Sequence, residues 1–237
     1  MVAPGPVRTN LVGMNSTSPA PQEAIIGAFW RVLAGSGWHG LTMRAIAAEA
    51  GISLADLRQQ HSSPLSILNA HERLVDEIVL EGTVEDLTST ARDRLFDVLM
   101  RRMDALQPNR PGVVRMLRDL PRTPLLALWL AQRLDGSMAW MLEAAGLEAG
   151  GPAGAIRTKG LGVVWLSGLR AWEKDESEDL SGTMAALDRS LDQADRVART
   201  LRMGGASEQP DVSAEPYGET PPPAAEPGDM EPQPAPM

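Results

Sequence analysis

The chain is predicted to be all-α, and three observations predict it. Between residues 21 and 203 apolar side chains recur at spacings of three and four rather than two, the period of a helix with one buried face. Gly and Pro fall where helices should end, and Ser or Thr stands where a new helix needs a cap. The 237 residues are 43% hydrophobic, enough for one or two helical cores, yet no apolar run approaches the roughly 18 residues that cross a bilayer.

The elements follow in order. The first 20 residues, rich in Pro, Gly, Ser and Thr, are expected to be disordered. A first helix runs from Pro21 to about Ala34, with Ile25, Ile26, Phe29, Trp30 and Leu33 as its buried stripe and Gly35 and Gly37 as its stop. Thr42 caps a short helix to Ala50, which Gly51 closes, and Ser53 caps the next, to His61. Pro64 stands in the first turn of a fourth helix, where its missing N–H does no harm, and that helix reaches Glu81. Longer helices near 89–107, 111–120, 123–146, 153–173 and 179–203 are separated by Pro108, Pro121, Gly150 to Pro152 and the acidic turn from Asp175 to Asp179. From 204 to 237 the chain is acidic, Pro-rich and expected to be disordered. The expected division is therefore a disordered N-terminus (1–20), a helix-turn-helix head (21–66), a helical body (67–203) and a tail (204–237).

Charge and composition narrow the function. The net charge is −9, but seven acids and no Lys or Arg follow Gly204, which leaves the remainder at −2 and permits a basic face. With no cysteine there are no disulfides, thiolate zinc sites or Cys nucleophiles. His39, His61 and His71 lack metal-ligand spacing, and no GxSxG, P-loop or dinucleotide fingerprint occurs. The short Gly-x-Gly between Lys159 and Gly162 lies inside an apolar helix rather than after a strand. The expectation is a protein that is not an enzyme and uses no metal or cofactor. The N-terminal residues show no basic cluster followed by an apolar stretch, so the expected location is the cytoplasm.

The stretch Leu41 to His61, LTMRAIAAEAGISLADLRQQH, reads as two short helices about a tight turn at Gly51, which is helix-turn-helix spacing. If the second helix enters a major groove, Ser53, Asp56, Arg58, Gln59, Gln60 and His61 are the residues to face DNA. Arg pairs with guanine and Gln with adenine through two parallel hydrogen bonds. Thr42 and Arg44 at the start of the preceding helix suit phosphate contacts.

These residues resemble the TetR family of one-component bacterial transcription regulators. The likeness covers about residues 22–72: AIIGAFWRVLAGSGWHGLTM, then IAAEAGIS, then Ser62-Ser63-Pro64, in the family's order. It implies a homodimer that binds double-stranded DNA under the control of a small apolar ligand held in the body. The chain departs from the pattern where the family carries Lys after the Ser cap (here Leu54), a Tyr and a His-Phe pair (here Arg58 and Gln60-His61), and a Lys after the third helix (here Pro64). Through His61 the charges balance at only +1, so affinity should lean on Arg44 and Arg58.

In the body, Phe96, Met100, Met103, Trp129, Trp140 and Trp165 are the residues expected to line an apolar or lipid-like ligand, since Met and Trp suit adaptable sites, with ordinary core as the competing reading. The arginines from Arg92 to Arg122 read as a solvated face with partners such as Asp97 to Arg101. Gly160, Gly162 and Gly168, with Leu180, Met184, Leu187, Leu191, Ala194 and Ala198, fit a close-packed homodimer or core. A looser resemblance, on RDRLFDVLMRRMDALQP, KGLGVVWLSGLRAW and DESEDLSGTMAALDRSL, is to ubiquinone-biosynthesis accessory proteins of the TetR fold. It implies the alternative of a lipid- or isoprenoid-binding role without DNA.

Overall fold

The computed structural model describes residues 21–84 and 88–200. The expectations for 1–20 and for the tail from 204 fall outside them. Among the described residues there are nine α-helices, two 3₁₀ turns and no strand: α1 (Gln22–Gly40), α2 (Met43–Ala50), α3 (Leu54–Gln60), α4 (Pro64–Glu81), α5 (Ala91–Leu106), α6 (Arg110–Asp119), α7 (Pro124–Ala144), α8 (Gly151–Lys174) and α9 (Ser181–Thr200). No described helix is long and apolar enough to cross a membrane.

Side-chain caps start four of the helices, α2 to α5. Thr42, Ser53 and Thr90 each accept a backbone N–H three residues on, and Ser63 with Ser66 closes a reciprocal capping box ahead of α4. One boundary differs from the expectation. Helix α1 runs through Gly35 and breaks only at Gly37, whose backbone has φ 69° and ψ 177°. A mid-helix glycine merely weakens a helix by about 1 kcal/mol; a positive φ interrupts it.

The break at Gly37 lets α1 meet α6. The freed Trp38 amide donates to Asp119 Oδ2 at 2.9 Å, and this bond holds the Asp119 carboxyl below its ordinary pKa. Further along, α6 crosses so close that a Cβ on buried Gly112 would stand 2.6 Å from the Trp30 carbonyl oxygen and 2.8 Å from Trp30 Cε3. Gly112→Ala should therefore lose about 1–3 kcal/mol in urea denaturation despite its better helix propensity. An unchanged midpoint would show that α6 is free to shift.

Several of the body arginines are inter-helix ties, while Arg115 keeps a partner one turn on in its own helix, Asp119 at 3.3 Å. Arg92 of α5 reaches Asp188 at 2.5 Å and Asp192 at 2.6 Å on α9. Arg110 donates to the Trp172 and Asp175 carbonyls at the end of α8 while lying over the Trp172 ring. Arg118 meets Glu173 at 3.2 Å, and Arg101 donates to Thr83. Gly168 of α8 and Leu187 of α9 are likewise packed within the chain: Leu187 is fully buried, with Leu187 Cδ2 only 2.4 Å from where a Gly168 Cβ would be, whereas Gly160 is exposed.

Candidate nucleic-acid interface

The bihelical unit rests on a small core. Ile25, Phe29 and Leu33 of α1 enclose Ile46 of α2, Leu57 of α3 and Ile67 of α4, all fully buried. Gly51, with φ 68° and ψ 27°, closes α2 in a left-handed turn where the Gly51 and Ile52 amides donate to Ala48 and Ala47. A Cβ there would touch nothing, so the glycine serves its backbone conformation. Arg31 and Glu49, at 2.6 Å, tie α1 to α2 and neutralise each other.

With Leu57 turned inward, α3 leaves Leu54, Ala55, Arg58 and Gln59 exposed, on two adjacent rows one turn apart. Neither Arg58 nor Arg44 is engaged in an ion pair with a described residue, and Arg44 is exposed two residues past the Thr42 cap. Thr42 accepts the Ala45 amide at 3.2 Å. Ser53 is more heavily committed: its hydroxyl accepts the Asp56 amide at 3.0 Å and donates to Asp56 Oδ2 at 2.7 Å.

One expected DNA-facing residue is turned inward. His61 is 7% exposed and packs inward, one turn beyond Leu57, and burial lowers its pKa. Gln60 is exposed but lines, with His61, a cavity of about 330 Å³ against Gln22, Asn69 and Arg73. The spacing of His61 from Leu57 was the sequence signal for its inward turn, since i and i+4 share a face.

The expected ligand residues are spread over core, half-buried and exposed positions. Met103 and Trp165 are core, Phe96 and Met100 are half-buried on α5, and Trp140 is 57% exposed on the outer side of α7. Trp165 lies beneath Arg102 at 5.1 Å, and Trp129 beneath Arg133 at 5.0 Å. A cavity of about 370 Å³ opens elsewhere, among Thr83, Arg94, Asp97 and Arg101, and none of the six residues lines it.

Beside the apolar core of the body, polar side chains join α4, α5 and α7. Asp76 of α4 accepts from buried Arg102 of α5 and, at 2.7 Å, from Ser137 of α7. One turn before it, Glu72 meets Arg133 at 2.7 Å, and burial raises the Glu72 pKa against that pairing. His71, 4% exposed, has no hydrogen-bond partner at either nitrogen and meets the Trp30 ring edge-on at 4.9 Å. Its place was legible, because Leu68, His71, Val75 and Val79 are spaced as one buried stripe.

No protein-family description and no curated protein matches the chain. Solved structures do. A TetR transcriptional regulator from Nitrosomonas europaea ATCC 19718 superposes with a TM-score of 0.61 at 22% identity, covering 73% of this chain and 97% of the other. A TetR transcriptional regulator from Rhodococcus sp. RHA1 gives 0.53 at 15% identity, covering 73% and 93%. With its all-helical order and capped bihelical unit, the chain has the fold of the TetR transcriptional regulators.

Proposed function

We propose that this chain is a cytoplasmic, homodimeric, DNA-binding transcriptional regulator of the TetR type, controlled by a small apolar ligand. The observation that carries the reading is the exposed outer face of α3, where Arg58, free of ion pairs with described residues, stands beside exposed Gln59 on a helix anchored by Leu57. In this reading α3 lies in the major groove, Arg58 pairs with a guanine edge, and Arg44 and the Thr42 hydroxyl hold phosphates. Ile156, Val163 and Leu166 of α8 and Val197 of α9, all exposed, supply an apolar face for a second copy. Two heads then meet half-sites about one helical turn, roughly 34–36 Å, apart. A ligand regulates by preferring the body state in which that spacing is lost, to an extent bounded by its preference.

The test is selection of fragments from genomic DNA by the full chain, followed by anisotropy titration. Arg58→Ala should weaken binding to the selected site by roughly 10- to 100-fold, the worth of a bidentate base contact. Equal affinity of the two proteins would reject the groove assignment. A co-purified quinone-like lipid with no enriched DNA would favour the lipid-binding alternative.

A further inference from the structure

The first turn of α3 carries no free hydrogen-bonding side chain toward a groove. In helix-turn-helix proteins the N-terminal residues of this helix approach the base edges. Here Ser53 is occupied twice over by Asp56, and the half-buried Asp56 carboxylate is held in return. What remains exposed in that turn is Leu54, at 45%, and Ala55. Leu54 is the large apolar side chain that the described part of the head leaves in solvent, while its other large apolar groups are buried or half-buried.

Building on the DNA-binding reading, we propose that Leu54 and Ala55 read thymine C5-methyl groups, so that each half-site sets one or two thymines beside the guanine read by Arg58. The chemistry is specific. In the major groove the thymine methyl is the apolar feature of a base edge, and an aliphatic side chain discriminates there by burying it. Leu54 and Arg58 are one turn apart, so the apolar contact and the guanidinium fall on neighbouring base pairs along one row.

Deoxyuridine removes that methyl and leaves Watson–Crick pairing intact. With the full chain and its selected site, replacing thymines by deoxyuridine one at a time should weaken binding about fourfold at one or two positions per half-site, the worth of burying one methyl-sized group. Leu54→Gln, a surface change that leaves the core alone, should bind thymine and deoxyuridine equally at the position that Leu54 reads, while any second position, read by Ala55, keeps its methyl dependence. Sites that bind the wild-type chain equally with and without every methyl, while Arg58→Ala still loses affinity, would overturn the methyl reading and leave the DNA-binding one standing. Absence of any enriched sequence would overturn both.

Discussion

Asp76→Ala should be the most damaging single change in the body, lowering stability by about 3–5 kcal/mol because it strands a buried cation. The Arg102 side chain is 8% exposed and forms its ion pair with Asp76, with Met141 Sδ 3.9 Å away and the Trp165 ring on another side. Ser137 would lose its acceptor as well. For a chain of this size the thermal midpoint should fall by about 10 °C. Asp76→Leu combined with Arg102→Met should recover most of the loss, since removing both charges abolishes the desolvation penalty along with the attraction. A single Asp76→Ala variant within about 1 kcal/mol of the wild type would show that solvent reaches Arg102.

The second large effect is a dependence on pH. Burial, reinforced by the nearby Arg102 charge, lowers the His71 pKa from 6.5 to about 4. The unfolded chain, with an ordinary imidazole, takes up its proton first as pH falls, so between these values protons favour unfolding. Stability that is intact above pH 6.5 should decline through this window by about 3 kcal/mol, and the loss should be complete below pH 4. Glu72, its pKa raised by burial, acts in the opposite sense: its contribution is present below its unfolded pKa and is lost as pH rises through the folded one. The two are separated by comparing urea midpoints of wild type and His71→Phe from pH 7 to 4. The variant should lose the acid-sensitive component, and parallel pH curves for the two would reject the assignment to His71.

How much of this was legible in the sequence depended on range. Boundaries set by a cap or a left-handed glycine, such as Thr42, Ser53, Ser63 and Gly51, are local events and were readable to within a residue or two. Gly35 and Gly37 look alike as letters; the acceptor that lets the second one break the helix, Asp119, lies 81 residues from Trp38. The arginines misled for the same reason. Arg92 finds Asp188 96 residues away and Arg102 finds Asp76 26 residues away, whereas Arg115 keeps its i+4 neighbour Asp119. Trp140 shows the limit of composition, because a large apolar residue on a helix need not face inward. In the candidate interface, exposure of Arg58 and Gln59 followed from the inward placement of Leu57, whereas the mutual hold of Ser53 and Asp56 required side-chain geometry.

The brevity of α3 limits how much information one head can extract. Seven residues make a rod of about 10 Å, which spans roughly three base-pair steps of a duplex. So short a word recurs many thousands of times among the roughly 10⁶–10⁹ competing positions of a genome. On the proposed reading, an address rare enough to regulate one promoter has to be spelled twice, at a set interval, and pairing of two copies would then be a requirement of discrimination.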